Sequence, residues 1–370
     1  MHGLDQRLWR TVEEPVVDGE GPGARMLAAN LAREAASHGS NRDRAVELAR
    51  FAVADGVLQA VGEEMLWYTA AIVLHLADEE VGELWDAAVA RAVERGSLFS
   101  VLATHLWRGF TQWHHGDLNA ARQSLETAVG QSEIWGLAPG APQGRTFLTA
   151  VLLDLGDTAG ARACLERMRG WIRGTEGQRL LGESEAGVLN AEGRHEEALA
   201  ALDGVGHLQP AVANPAWWPW SLLRVRALAG ADRRAEALAL AEEQLTVARG
   251  WGAPSTLGRV LRIVGQLRGP AGEPQLREAV ALLAHGPARL EHARALYALA
   301  EHAPEDEAAS LLSRGRSIAR ECGAVGLADE GLTVVPEAGR GRHPVRRQHF
   351  EGGGGPHGAA AVEAPAQHDL

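Results

Sequence analysis

A small residue returns along this chain at nearly even steps. Ala121, Ala161, Ala198, Ala237 and Ala279 are separated by 40, 37, 39 and 42 positions, each inside a segment of helical periodicity. The segments read Ala-Ala-Arg-Gln-Ser-Leu, Gly-Ala-Arg-Ala-Cys-Leu, Glu-Ala-Leu-Ala-Ala-Leu and Glu-Ala-Leu-Ala-Leu-Ala. Between Glu79 and Gly96 the apolar residues are Val81, Leu84, Trp85, Ala88, Val89, Ala92 and Val93. Steps of three and four place them on one stripe of a helix. The same spacing recurs at 98–113, 118–134, 235–247 and 276–283. No run of alternating β-branched residues competes with it, so the expected fold is all-α.

Turn residues cut the helical pattern into pairs. At Gly116-Asp117 and Gly156-Asp157, glycine supplies the left-handed conformation that closes a helix. The aspartate that follows is expected to cap the next helix. Helices joined by so short a turn lie antiparallel as one hairpin. A hairpin repeated near every 40 residues cannot bury its stripe alone and must stack on its neighbours. The small residue lets the paired helices approach closely. The expected architecture is a right-handed α-α superhelix of tetratricopeptide-like hairpins, about seven or eight pairs, spanning residues 24–336. Residues 1–23 read as a flexible leader and 337–370 as a disordered Gly/Pro/His-rich tail, where periodicity vanishes.

The chain has 370 residues and no lysine: all 36 basic residues are arginine. Alanine, glycine, arginine and leucine dominate while isoleucine and asparagine are scarce, the signature of GC-rich codons. A net charge of −12 argues against broad binding to nucleic acid, which requires a basic face. No stretch reaches the roughly 18 apolar residues of a membrane helix, and no secretory signal is visible. Cys164 and Cys322 form no Cys-x-x-Cys pair and no disulfide framework. A cytoplasmic location is expected.

Several short motifs fail their structural context. Gly19-Glu-Gly-Pro-Gly-Ala24 has the letters of a dinucleotide loop, but only Val16-Val17 precede it where a buried strand is needed. Gly182-Glu-Ser-Glu-Ala186 approaches a nucleophile elbow but lies in helical sequence, and is read as a solvent-facing helix surface. His114, His115, His195, His285, His292 and His302 show no metal-ligand spacing and are read as scattered surface or loop residues, so neither a metal nor another cofactor is expected. A nucleotide-hydrolysing P-loop is excluded because its lysine is absent. Arg340, Arg342, Arg346 and Arg347 form a small basic cluster read as a solvated tail. The most distinctive segment is Asn214-Pro-Ala-Trp-Trp-Pro-Trp220. Its tryptophans either fill the core between repeats, with Asn214 capping a helix begun by Pro215, or line a pocket on the inner surface. The structural reading is preferred. The candidate binding residues are Asn214, Trp217, Trp218, Trp220, Trp107 and Arg108; no catalytic residue is identified.

Longer stretches carry a family resemblance. Asn214-Pro-Ala-x-x-Pro-Trp220, Glu236-Ala-Leu-Ala-Leu-Ala-Glu-Glu243 and Ala248-Arg-x-Trp-Gly-Ala-Pro254 resemble the large ATP-binding LuxR-type (MalT-like) bacterial transcriptional regulators. So do Leu276-Arg-Glu-Ala-Val-Ala-Leu-Leu283, Pro287-Ala-Arg-Leu-Glu-His-Ala-Arg-Ala-Leu296 and Ala319-Arg-Glu-Cys-Gly-Ala324. Upstream, Arg95-Gly-Ser-Leu-Phe99 and His105-Leu-Trp-Arg-Gly109 fit the same family, so the likeness covers about residues 25–335.

The resemblance implies the central superhelical region that receives an inducing ligand or partner. The family's P-loop ATPase and its helix-turn-helix have no counterpart here. Past Gly339-Arg-Gly-Arg-His-Pro344 the sequence turns glycine-rich, which is read as truncation or a frame shift. The expected function is therefore a non-enzymatic sensing or protein-interaction module, holding a protein partner or small-molecule inducer in its concave groove. It contacts neither nucleic acid nor membrane directly, and it is free to oligomerise. The alternative is a free-standing tetratricopeptide-like scaffold for a peptide or protein.

Overall fold

The computed structural model describes residues 17–136, 141–170, 174–208, 212–217 and 220–330. Among these there is no strand; the elements are helices and short turns. In order the longer helices are α1 (Pro22–His38), α2 (Arg42–Val53), α3 (Glu64–Leu76), α4 (Gly82–Glu94), α5 (Leu98–His115) and α6 (Leu118–Ile134). There follow α7 (Ala141–Asp154), α8 (Thr158–Arg169), α9 (Gly174–Ala191), α10 (His195–Leu202) and α11 (Trp220–Gly230). The last five are α12 (Arg234–Trp251), α13 (Pro254–Arg268), α14 (Glu273–Leu283), α15 (Arg289–Ala300) and α16 (Glu305–Cys322). No helix among the described residues is long and apolar enough to cross a membrane.

Local chemistry places the boundaries. Proline stands in the first turn of α1, α13 and α14, where its missing N–H leaves no orphan donor. Glu305, Asp306 and Glu307 open α16 and complement the positive end of its dipole. At the turn after α5, Gly116 has φ +86°, and a Cβ there would stand 2.9 Å from Cys322 Sγ and 3.0 Å from the Leu290 amide nitrogen. Glycine thus serves both the turn and a close crossing of chain segments far apart in sequence.

The two predicted aspartate caps diverge. Asp157 accepts from the Gly160 N–H at 2.8 Å, as a cap should. Asp117 makes no cap bond; its carboxylate pairs with Arg289 instead. An exposed cap and a charge-assisted partner compete for the same oxygens, and the guanidinium wins.

Helices touch their neighbours in sequence, and the first helices of successive pairs also meet: α1 with α3, α3 with α5, α5 with α7, α7 with α9, α9 with α11 and α13 with α15. The recurrent alanines Ala121, Ala161, Ala198, Ala237 and Ala279 are all fully buried. Of the stripe on α4, Trp85 is buried against Trp67 in edge-to-face contact at 5.7 Å, whereas Val93 is 65% exposed and leaves the core.

A second layer of contacts was not legible in the repeat pattern. The Trp251 indole N–H donates to the Leu76 carbonyl at 2.7 Å, and the Ser255 amide donates to the Asp78 carboxylate at 2.7 Å. Arg294 pairs with Asp154, and Leu118 of α6 shares a buried cluster with Leu290, Ala319 and Cys322. Helices α3, α6 and α7 therefore lie against α12, α13, α15 and α16.

Candidate functional site: a cationic lumen

The first helices of the pairs wall one cavity of about 280 Å³. Its lining comes from α3, α5, α7, α9, α11, α13 and α15 and from the turns next to them; α4, α6, α8, α10, α12, α14 and α16 add nothing. Part of the lining is aromatic and apolar, from Phe110, Trp113, Phe147 and Trp217 together with Leu153 and Ile263. Phe110 and Phe147 lie 4.7 Å apart between centroids.

The rest of the lining is polar and charged. On α13, Arg259, Arg262 and Gln266 follow at steps of three and four, which aligns them on the face toward the cavity. Arg262 is 4% exposed and donates to Glu291 at 3.1 and 2.9 Å and to Gln266 at 2.8 Å. From α15, Arg294 bonds Glu291 at 2.7 Å and also pairs with Asp154. Burial alone would raise the Glu291 pKa, but Arg262, Arg294 and Arg259 hold it far below the usual carboxylate range. Burial works against the charge on Arg294, yet Asp154 and Glu291 raise its pKa overall. This quartet is internally compensated.

Two further arginines are not. Arg226 of α11 and Arg259 line the cavity, and among the described residues neither has a hydrogen-bond or ion-pair partner. Arg226 is exposed and Arg259 half-buried, both on the lumen lining. Burial, followed by repulsion from Arg294, lowers its pKa; burial and the neighbouring Arg262 and Arg294 lower that of Arg259, against the pull of Glu291. A guanidinium does not give up its proton in a protein, so these shifts describe strain on a retained charge.

Histidines close the rim. His75 Nε2 lies 3.3 Å from His114 Nδ1, and the two rings stand 5.2 Å apart. Burial lowers both pKa values, that of His114 to about 3, and His115 shifts the same way. His114 and His115 are thus not scattered surface residues. They end α5 and face the lumen, because the last helical turn points inward where the chain crosses α15. His292 is also buried, 9% exposed. No group of three or more metal-ligating side chains occurs among the described residues.

No family model matches the chain, and no curated protein matches it.

The candidate residues from sequence separate into distinct places. Asn214 is fully buried, joins chain segments and is not part of the lumen lining. Its amide donates to the Ala36 carbonyl at 2.8 Å, and its Oδ1 accepts from Ala216 N–H at 3.0 Å. Pro215–Trp217 form a turn, not the helix start expected of Pro215; α11 begins at Trp220. Trp217 lines the lumen, Trp220 joins the core of the later repeats, and Trp218 lies outside the described residues. Trp107 packs edge-on to Phe110 within the core, and Arg108 pairs with Asp86 at 3.0 Å away from the lumen. Arg340, Arg342, Arg346 and Arg347, with the rest of 337–370, also lie outside the described residues.

The segment at 182–186 is helical as expected, but it is not a solvent face. Glu183 and Ser184 are 6% and 4% exposed, and Glu183 accepts from Arg179 at 2.7 Å. Helix α9 is sandwiched between α7 and α11, which covers that face.

Sequence reasoning missed His75, Arg226, Arg259, Arg262, Glu291 and Arg294. A signal existed: in Leu257-Gly-Arg-Val-Leu-Arg-Ile-Val264 and Leu222-Leu-Arg-Val-Arg-Ala-Leu228, arginines interrupt otherwise apolar helices. Charges there must either pair internally or line a cavity.

Proposed function

We propose that this chain is the signal-sensing helical-repeat module of a LuxR-type transcriptional regulator, acting in the cytoplasm without catalysis. Its hairpins wind as a right-handed tetratricopeptide-like superhelix, and a small-molecule inducer occupies the lumen. Sequence resemblance at 214–254 and 276–324 supports the family. The succession of first-helix contacts supports the winding. One observation carries the ligand reading: seven helices from across the chain converge on one cavity of about 280 Å³ lined by both aromatic and charged side chains. Ligand pockets of proteins share this mixture of apolar wall and few polar anchors. A helix of about 10–12 Å diameter with side chains would not fit, which favours a small molecule over a docked peptide helix.

Thermal-shift screening of the full chain against a metabolite collection tests this. A ligand that binds only the folded form stabilises it, by about 2.7 kcal/mol at one hundred times its Kd. A reproducible rise in Tm that disappears when Ala150→Trp fills the lumen supports the reading. A complete screen without any such rise counts against it. In the same reading a promoter gel shift with this chain is negative.

A second reading, a free-standing scaffold for a protein partner, draws on Leu98 and Phe99 at the start of α5 and Ile134 and Trp135 at the end of α6, all exposed. Pull-down with and without Phe99→Ser and Trp135→Ser separates it from the first.

A further inference from the structure

We propose that the lumen selects a small organic anion: a carboxylate or phosphate carried on a flat, apolar body, with the acidic group held between Arg226 and Arg259. The inference rests on the lumen being a ligand site and adds the chemistry of what enters it.

Four guanidinium groups, of Arg226, Arg259, Arg262 and Arg294, face one small space. Glu291 and Asp154 are committed to Arg262 and Arg294 by direct hydrogen bonds. Glu183, the next carboxylate on the wall, is taken by Arg179 from outside it. Asp78 accepts from the Ser255 amide. Asp78 is drawn on by Arg42 and His115, and Arg226 and Arg259 are left without a protein partner among the described residues. A guanidinium on a cavity wall without an acidic protein partner is free to take up an anion that enters. The fork of a guanidinium matches the two oxygens of a carboxylate or phosphate.

The body of the ligand follows from the aromatic part of the lining. Phe110, Trp113, Phe147 and Trp217 offer ring faces and edges, suited to a flat apolar group. The histidines stay neutral and add no competing charge.

Calorimetric titration of the full chain with 2-naphthoate and 1-naphthyl phosphate, against neutral 2-naphthamide and inorganic phosphate, tests the proposal. At least one aromatic anion is expected to bind ten-fold or more tighter than the amide, and inorganic phosphate to bind more weakly than that anion. Arg226→Gln and Arg259→Gln should each weaken the anion ten-fold or more and leave the amide unchanged. Without ligand both variants should match or exceed the wild-type Tm, because they remove an uncompensated charge. That outcome separates a ligand-binding charge from a structural one. Equal affinity for anion and amide, both abolished by Ala150→Trp, would overturn the anion selection while leaving the lumen a ligand site. Binding of none of the probes would overturn both readings. A clear fall in Tm for both glutamine variants would overturn the assignment of these two arginines.

Discussion

The indole N–H of Trp251 donates to the backbone carbonyl of Leu76 across 175 intervening sequence steps. Trp251 ends α12 and Leu76 ends α3, so a single bond ties the last third of the chain to its first quarter. Trp251 is 1% exposed and belongs to the same buried cluster as Ala70, Trp67 and Trp85. Replacing it with phenylalanine keeps most of the packing and removes the donor, which should cost about 1–3 kcal/mol. Replacing it with alanine should cost about 3–5 kcal/mol. Urea denaturation followed by circular dichroism reads both; equal and small losses would show that the contact contributes little.

Close approach at the recurrent alanine is open to the same measurement. Ala237 is fully buried between α12 and its neighbours, and leucine there should overpack the site at a cost of about 1–3 kcal/mol. Ala163, exposed on α8, is the control, with an expected change within about 0.5 kcal/mol of zero. If the two leucine variants are equally stable, the alanines are compositional rather than structural.

These alanines were legible in the sequence because helix pairing within a hairpin is local, and local periodicity survives in one dimension. The lumen was not. His75 and His114 come together through packing of α3 on α5, and each alone reads as an ordinary helical histidine. Arg294 finds Asp154 only once α15 lies against α7, an outcome that depends on how far each hairpin rotates relative to the last. Small rotations per repeat leave no mark on spacing. The tryptophan segment misled in another way. Its density suggested one shared role, whereas a buried clamp at Asn214, a lumen wall at Trp217 and a core position at Trp220 sit side by side because the turn redirects successive side chains.

The rim histidines set a pH dependence with a definite sign. Burial holds His114 neutral in the folded chain, with Arg259 and His115 opposing its protonation and Glu291 favouring it. The unfolded chain titrates near the ordinary value of about 6.5. A folded-state pKa below the unfolded one gives stability that is complete above that value and declines as pH falls toward about 3. His114→Gln should therefore flatten the profile, narrowing the loss between roughly pH 7.5 and 5.5 by about 1.4 kcal/mol. Glu183 works in the opposite direction, since burial raises its pKa, so the comparison is made between wild type and variant. Parallel profiles for the two proteins would contradict the assignment of His114.

Arg179 and Glu183 form a buried pair on α9, 1% and 6% exposed at the side chain. Arg179→Met alone leaves Glu183 without its counter-charge and should destabilise the chain by about 3–5 kcal/mol. Adding Glu183→Leu removes the orphaned carboxylate and should recover most of that loss. A double variant as unstable as the single would mean that the pair is needed for packing and not merely matched for charge.

The account depends on early and late helices meeting around one lumen, and Arg294 with Asp154 spans that junction over 140 positions. A double-mutant cycle on Arg294→Met and Asp154→Leu, read by denaturant unfolding, measures the meeting directly. Residues in contact couple by about 0.5–3 kcal/mol, whereas distant ones add independently. A coupling above about 1 kcal/mol is expected for so enclosed a charged pair. Strict additivity of the two single variants would show that α7 and α15 do not meet, and the lumen would have no wall there.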